Sequence, residues 1–529
     1  MAGADLMQNV EKFETRASSG NHLVKDIDAN VDRFNKTVGY GKSYDIILRR
    51  FTVAGVAVAA YVINGYFETL PNMEILARLS NPLPQPGADR RTAARQEGEG
   101  HEASGPDGRG DRLSYLRQLL QERLTYSQVI VVDSFDEAVL QLLSGPMIVL
   151  VDGEAAVIVV DTRYYPDREP TAPVTEQVIN GPRDGFVENF IDNTALIRRR
   201  VRDPGIRFEL HKVSARGRTD VAITYIEGIT NPKLVAEVRR RLKAIHTRGI
   251  PTSQEAMAEF MGNAPWNPFP MVRTTQRPDV AAINLFEGHV LLVVDTTPVV
   301  VVLPATLLQM LQHPEDYYVS PVFGTYMRWV EWVALLGAVL VPPFWLLLAT
   351  HPGAHNAIPA LSFIGAKKPS KIPLALQFIL AEVTIDILRR SILNSTQALA
   401  TTFGILGAVV LGDVSTKTGI FSSEALVYVV FAALSSFAVS NLELGMTTRL
   451  IRISLIILEW MWAFPGIIVG LLFWLVLAAR SESFGVPYLW PLVPFDWPSL
   501  RSVLIRQPHT WAEPRPGILG PQDRWHDRP

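Results

Sequence analysis

Between residues 327 and 480 the chain is so rich in apolar residues that it is predicted to lie in a membrane, whereas residues 1–326 mix charged and apolar positions as a soluble chain does. In a bilayer every backbone N–H and C=O group must be bonded internally, which restricts spanning segments to helices or closed barrels. Four stretches are candidates for membrane helices: 329–349, 398–412, 424–440 and 450–479. The sequence therefore predicts an α-helical multi-pass domain over residues 327–480, with about four spans.

The first and last of these stretches show how the segments fit a bilayer. Residues 329–349 would form a helix about 31 Å long, which matches the roughly 30 Å hydrocarbon core. Residues 450–479 would be about 45 Å long if straight, so this stretch must tilt, emerge from the bilayer or bend at Pro465-Gly466. Four spans place both ends of the domain on one side. Since the N-terminal region shows no apolar leader, that side is predicted to be the cytoplasm.

One further helix, 374–391, is apolar but carries a charged face that includes Glu382, Asp386 and Arg389. A single charge at a bilayer centre costs about 2.5–3.5 kcal/mol. The helix could lie amphipathically on the membrane surface, re-enter or span it beside a water-filled path, or be a salt-bridged structural span. Because the two acids form a like-charged i,i+4 pair, which is destabilising unless cations or water serve it, we expect a wet path. The predicted ion pathway comprises Glu382, Asp386, Arg389 and Glu459, the last being an acid deep in the final span.

The soluble part is predicted to contain two related α/β subdomains, at 43–173 and 204–326, after a helical or flexible segment at 1–42. The β-branched run 51–64 predicts a strand, and aligning it with the chain near residue 225 places Gly65 over Gly228. Two further runs of Val, Ile and Leu around turns, 145–162 and 287–304, predict β-hairpins. The fold class is therefore an α/β head of two related subdomains joined to a helical membrane domain.

Three segments connect or flank these parts. Residues 81–111 have almost no large apolar residue and are predicted to be a disordered insert in the first subdomain. The linker 174–203 contains apolar residues at helical spacing and ends in three arginines, which complement a helix C-terminus. It could be a capped helix that packs the two halves together, or a contact to a neighbouring subunit or to lipid headgroups. The chain ends in a Pro-rich tail, 481–529, whose last part, 506–529, is predicted to be loose.

Composition and motifs exclude several functions. The formal net charge of −2 gives no footprint for nucleic acid. The chain has no cysteine, which rules out disulfides and thiol chemistry, and no phosphate-binding loop, serine-hydrolase elbow or metalloprotease motif is present. His351 and His355 flank Pro352-Gly353, which would break the helix that a metal pair needs. We therefore predict no enzymatic activity, no cofactor and no metal site.

Four separated blocks, in order, resemble signatures of the GerA family of spore germination receptor A subunits. The closest likeness within that family is to its SpoVAF type, through residues 39–50, 371–391 and 399–413. The four family blocks include "VINGPRDGFVENF" and lie at 178–201, 267–304, 313–318 and 483–491.

The resemblance implies a multi-pass protein of the spore inner membrane, with its head towards the cytoplasm or spore core. It implies a homo-oligomeric ring around an ion path that promotes ion release during germination, in contact with membrane lipid. Other spore membrane proteins, such as dipicolinate-channel subunits, are possible partners. The alternative is a non-conducting adaptor that couples germination signals to the dipicolinate channel. The matching head residues, expected at a subunit interface or in gating, are Gly181, Pro182, Arg183, Gly185, Phe186, Glu188, Arg198, Arg199 and Arg200.

Overall fold

The computed structural model describes residues 21–53, 55–66, 129–162, 176, 178–249, 253–262, 266–351, 372–394, 397–508 and 515–523. The chain divides into two compact units. The first consists of Met1–Pro170, Phe186–Gly228 and Leu292–Pro298, and the second of Thr171–Gly185, Ile229–Leu291 and Val299–Pro529. The predicted insert 81–111 lies outside the described residues, and the predicted domain boundaries stay predictions.

Up to residue 310 the described chain combines strands and helices, as the α/β prediction requires. In chain order the elements are α1 (Ile27–Val38), β1 (Ile46–Val53), β2 (Val56–Ile63), β3 (Val129–Val132), α2 (Phe135–Leu143), β4 (Met147–Val151), β5 (Val157–Val160), α3 (Phe190–Arg200), β6 (Ile206–Val213), β7 (Thr219–Ile226), α4 (Pro232–Lys243), α5 (Ser253–Gly262), β8 (Arg273–Thr275), α6 (Pro278–Glu287), β9 (Val290–Val294), β10 (Val300–Leu303) and α7 (Leu307–Met310).

The first sheet has the order β1-β2-β4-β5-β3, and its strands are all antiparallel. The run 51–64, predicted as one strand, instead contains the end of β1, a turn with Gly55 at φ 85°, and the whole of β2. The predicted hairpin at 145–162 is confirmed as β4 and β5, with Met147 opposite Val160. Both faces of the sheet are buried: Tyr61 packs with Phe34 and Phe135 on one face, while its neighbour Ala60 belongs to a second apolar cluster. This explains why the strands read as continuous Val and Ile runs rather than alternating ones.

The second sheet has the order β6-β7-β9-β10-β8, which repeats the pattern of the first, a two-strand hairpin followed by three further strands. Gly65 and Gly228, aligned from the sequence, follow the second strand of each hairpin and have φ of 86° and 92°. This left-handed region favours glycine because it lacks a Cβ. After Gly228, Asn231 caps α4 and Pro232 opens it, where proline suits the first turn.

The predicted linker helix is α3, which begins at Phe190 behind the Asn189 cap. Asn193 explains this start, because its side chain bonds both backbone groups of Val187 and so holds the preceding residues in an extended loop. Phe186 is still buried, at 1% exposure. The helix ends in the three arginines that the sequence pattern indicated.

The remaining described elements are mostly helical. They are a 3₁₀ turn (Pro314–Tyr317), α8 (Pro321–Thr350), α9 (Leu374–Leu393), α10 (Gln397–Ala408) continuing through a π turn (Val409–Val414) into α11 (Ser415–Lys417), α12 (Ser423–Ala438), α13 (Leu442–Arg480), β11 (Glu482–Ser483), β12 (Val486–Pro487), α14 (Trp497–Leu504) and a 3₁₀ turn (Gly517–Leu519). Among the described residues, α8 and α13 are long and apolar enough to cross a bilayer, while Leu399–Ala408 and Ser423–Ala438 are shorter apolar helices.

Helix α13 reverses direction, so that it forms a helical hairpin rather than one rod. Ala463 has non-helical φ and ψ of 52° and −137°, two residues before the Pro465-Gly466 bend that the sequence predicted. Trp474 Nε1 donates to Ser454 Oγ over 2.8 Å, although twenty residues of straight helix would separate them by about 30 Å. The prediction of a bend is confirmed, whereas the prediction of a single span over 450–479 is wrong. The two arms, 442–462 and 464–480, would be about 31 and 26 Å long.

The helices of this bundle run antiparallel to their chain neighbours. Near the start of α8, Glu331 accepts a hydrogen bond of 3.1 Å from Ser440 N, in the loop between α12 and α13. At the other end of α8, Thr350 Oγ1 lies 3.2 Å from Glu459, close to the hairpin tip. A third contact, Gly407 against Leu388, fixes α10 against α9. The six helical segments that the structure describes in this bundle therefore alternate in direction. Below, the end of the bundle near Ser440 is called the head end, and the end near Glu459 the far end.

The C-terminal tail is packed where the structure describes it, which contradicts the prediction that it is loose. Arg515 Nε donates to Phe286 O over 2.7 Å, and Gln522 N donates to Ile229 O over 2.9 Å. Leu519 is buried, at 4% exposure. Proline content misled the prediction because prolines prevent regular structure without preventing docking onto another element.

Candidate functional site

The charged face of α9 meets two arginines of the first arm of α13. Glu382 and Arg452 form a bidentate pair, with distances of 2.8 Å from Nε to Oε1 and 2.9 Å from Nη2 to Oε2. Their side chains are 1% and 0% exposed. Planar, charge-assisted pairs of this kind are among the strongest hydrogen bonds in proteins.

Arg452 also joins α8 and α12 to this pair. Its Nη1 donates to the carbonyl oxygen of Ala338 over 2.7 Å and to Ser436 Oγ over 3.2 Å. One guanidinium thus connects four helices at the middle of the bundle. A buried charge is tolerated only when its charge and its hydrogen-bonding groups are both satisfied, and Arg452 meets both conditions.

Arg449, one turn before Arg452, serves the two acids of α9 together. It forms an ion pair with Asp386 and lies 3.7 Å from Glu382. The like-charged pair predicted to need a cation therefore has one. Arg449 Nε is buried without a hydrogen-bond partner among the described residues, so the Glu382 contact is electrostatic.

The four side chains form a neutral cluster that is closed at one end and open at the other. Glu382 and Arg452 are fully buried, whereas the side chain of Asp386 is 44% exposed. An ion or a partner that approaches the cluster would reach Asp386 first.

The two other predicted pathway residues lie apart from this cluster. Arg389 places its guanidinium 5.6 Å from the ring centre of Phe437, at the head end of α9. Glu459 accepts a hydrogen bond from Thr350 at the far end and is about 10 Å along the helix from Arg452. The structure brings Glu382 and Asp386 together and leaves Arg389 and Glu459 separate; a pathway role for the four stays a prediction.

Sequence reasoning missed Arg449 and Arg452 as members of the site. Their spacing of three residues places them on one helix face, as the spacing of Glu382 and Asp386 does on α9. The available signal was a basic i,i+3 pair on one apolar helix and an acidic i,i+4 pair on another.

The head motif divides between the two units. In the second unit, Arg277 is fully buried and donates to Pro182 O over 3.0 Å and, through two bonds, to Asp279. The guanidinium holds the pKa of the Asp279 carboxyl below its usual range against the effect of burial. Tyr318 also bonds Asp279, and its ring packs so close to Gly181 that a Cβ there would lie 3.1 Å away. Gly181 and Pro182 are thus held by residues of two other family blocks, Arg277 of 267–304 and Tyr318 of 313–318.

The other head residues differ in exposure. Arg183 and Glu188 are exposed, and Gly185 is buried. In the first unit, Arg198 is 0% exposed and pairs with Asp45 over 2.7 Å. Arg199 is exposed and Arg200 is half-buried. A role at a subunit interface or in gating stays a prediction for all of them.

A buried acid lies where the 3₁₀ turn leads into α8. Asp316 is 3.4 Å from Arg328 Nε, and Arg328 Nη1 donates to the carbonyl oxygens of Ser502 and Val503 in α14. Burial raises the pKa of Asp316 to about 6 despite the neighbouring guanidinium. This joint ties the start of α8 to α14.

Among the described residues, no group of three or more His, Cys, Asp or Glu side chains is placed to hold a metal ion.

Comparisons with known proteins agree with the resemblance seen in the sequence. The family profile described as Bacillus/Clostridium GerA spore germination protein matches residues 32–518. The chain is similar to Stage V sporulation protein AF of Bacillus subtilis (strain 168), with 36% identity over 94% of this chain and 95% of that protein. It is similar to Spore germination protein KA of the same strain, with 28% identity over 94% of this chain and 87% of that protein. The crystal structure of the N-terminal domain of the A subunit of the Bacillus megaterium spore germinant receptor GerK3 covers 54% of this chain and 97% of its own, with 24% identity and a TM-score of 0.37.

Proposed function

Since this chain belongs to the Bacillus/Clostridium GerA spore germination protein family, we propose that it is one subunit of a homo-oligomeric ion channel in the spore inner membrane. In this proposal the channel promotes ion release during germination. The observation that carries it is the Glu382–Arg452–Arg449–Asp386 cluster inside an apolar bundle. Ionisable residues at such positions are costly and mark ion or substrate pathways in membrane proteins.

The proposal places the bundle across the bilayer. Six alternating helical segments are available: α8, α9, α10 with its continuation to residue 417, α12 and the two arms of α13. An even number of crossings keeps both ends of the bundle on one side, with the α/β head towards the cytoplasm or spore core. Trp329 and Trp497, 59% exposed each at the head end, suit the interfacial aromatic belt of that side.

In the proposed mechanism, Asp386 lines the ion path, while Glu382 stays paired with Arg452 until the channel opens. Rings of carboxylates from several copies are a usual basis for cation pathways. While Arg449 and Arg452 neutralise both acids, the path carries no negative charge and is closed. Movement of α9 relative to α13 would release the acids and open it. We further propose that the 181–188 segment acts at a subunit interface or in gating through its exposed residues, Arg183 and Glu188.

The test is cation efflux from liposomes that contain the purified full chain. Asp386→Asn is expected to lose most of the flux because it removes the accessible carboxylate. Asp413→Asn is the matched control, since that side chain is 59% exposed and its ion pair among the described residues is with Lys417, four residues further along the chain. Equal flux from Asp386→Asn and wild type, with equal assembly, would refute the channel mechanism.

One observation favours the alternative, a non-conducting adaptor for dipicolinate-channel subunits. Glu382 is already fully paired within its own chain, as in a structural span. The adaptor predicts no current from the wild type, together with co-purification of dipicolinate-channel subunits that Asp386→Asn weakens.

A further inference from the structure

An apolar cavity of about 390 Å³ lies between α9, α10 and α12. Its lining contains only apolar residues and glycines, from Ala381 and Leu426 towards the far end to Leu388 and Leu434 towards the head end. Leu434 is 64% exposed, so the cavity opens at the side of the bundle. Its length along α9, from Ala381 to Leu388, is about 10 Å.

Glycines keep this space open. A Cβ added to Gly404 or to Gly412 would meet no atom within 4 Å, whereas one added to Gly407 would lie 2.7 Å from Leu388. Gly407 therefore sets the close contact between α9 and α10, and the other two face empty volume. An apolar, elongated space of this kind suits a flexible hydrocarbon chain, because no lining residue has a polar side chain.

Arg389 lies at the head end of the cavity, and Arg390 follows it on α9. Arg389 follows Leu388 and lies four residues after Ile385, another lining residue, so it continues the same helix face. Its guanidinium lies over Phe437, which is about one turn beyond Leu434. No carboxylate forms an ion pair with Arg389 or Arg390 among the described residues.

We propose that this cavity binds one anionic phospholipid, with an acyl chain in the apolar space and its phosphate on Arg389 and Arg390. Unpaired arginines at the end of a membrane helix match the phosphate in charge and in bidentate geometry. The site goes beyond ion conduction and assigns Arg389 to lipid rather than to the ion path.

Native mass spectrometry of the purified full chain tests this proposal. The protein is titrated with dioleoyl phosphatidylglycerol or, separately, with dioleoyl phosphatidylcholine. We expect the wild type to retain one phosphatidylglycerol per protomer and to hold phosphatidylcholine at least about tenfold more weakly, a factor that corresponds to 1.4 kcal/mol.

Two variants test the apolar cavity and the arginine separately, and each has a matched control. Gly404→Leu fills the cavity and is expected to lose retention, whereas Ile405→Trp adds bulk on the neighbouring position, which is 63% exposed and outside the lining. Arg389→Gln is expected to remove the preference for phosphatidylglycerol, whereas Arg480→Gln, an exposed arginine at the head end of α13, is expected to keep it.

Three results would overturn the proposal. They are no retention by the wild type, equal retention of the two lipids, and retention that neither Gly404→Leu nor Arg389→Gln changes. A second copy of the chain in the cavity would also overturn it. Because the chain has no cysteine, a Leu434→Cys variant reports this directly: disulfide-linked dimers in membranes would show that another copy covers the opening.

Discussion

Replacing Glu382 with Gln should destabilise the bundle because it leaves two arginines facing one remaining acid. The pair is bidentate, at 2.8 and 2.9 Å, and fully buried. Removing one partner of a buried pair costs about 3–5 kcal/mol, since the other charge stays buried without compensation. We expect a loss of this size in the free energy of unfolding.

The loss from Arg452→Gln should be smaller, because Arg449 lies 3.7 Å from Glu382 and still provides a counter-charge. That variant mainly leaves acceptors unsatisfied, at about 1–3 kcal/mol. The double variant Glu382→Gln/Arg452→Gln removes both charges together. Its loss should therefore be smaller than the sum of the single losses, by about 1–3 kcal/mol.

The measurement is equilibrium unfolding of the purified protein in detergent, followed by circular dichroism. Asp386→Asn is the control, since its half-exposed pair should contribute only about 1 kcal/mol or less. Additive single losses, or a larger loss for Arg452→Gln than for Glu382→Gln, would refute the reasoning about the counter-charge of Arg449.

Three further predictions concern the packing and titration of other positions. Gly65→Ala should destabilise the protein more than Gly228→Ala. Both glycines adopt positive φ, which costs a residue with a Cβ about 1–2 kcal/mol, but of the two only the Cβ at position 65 would meet neighbouring atoms, at 3.0 Å. Equal midpoints of thermal unfolding for the two variants would contradict this. Gly470→Leu should lower the free energy of unfolding by about 1–3 kcal/mol through overpacking of the helical hairpin, because a Cβ at this position would lie 2.5 Å from a leucine of the first arm. An unchanged melting temperature would count against the hairpin. Burial raises the pKa of Asp316 from near 4 to about 6 in the folded protein, so its contribution to stability is complete below pH 4 and is lost as the pH rises through 6. Asp316→Asn should flatten this part of the curve of stability against pH. An unchanged curve would exclude Asp316 as the source of the pH dependence.

Local patterns predicted much of the α/β part. Runs of β-branched residues around turns located the hairpin of β4 and β5, and the match of Gly65 with Gly228 predicted two equivalent positive-φ positions. These features depend on neighbours in sequence, so composition and spacing suffice. The family resemblance is likewise confirmed, because its blocks depend on residue identity alone.

The features that were missed depend on contacts between distant segments. The reversal at Ala463 lies within a continuous apolar stretch, where hydropathy cannot distinguish one long helix from two packed arms. Arg449 and Arg452 could not be assigned to Glu382 and Asp386, because the two pairs lie about sixty to seventy residues apart in sequence. The docking of Arg515 onto α6 left no periodic signal in a proline-rich tail.

The short segment after α13 has a mechanical consequence. Ser483 Oγ accepts from Ala305 N over 3.1 Å and donates to Met271 O over 2.6 Å, and Tyr488 O accepts from Leu307 N over 2.8 Å. The segment that follows the last helical arm is therefore hydrogen-bonded to residues 305–307, which precede α8 in the chain. A displacement of residues 305–307 would therefore act on the first and the last helices of the bundle at the same time.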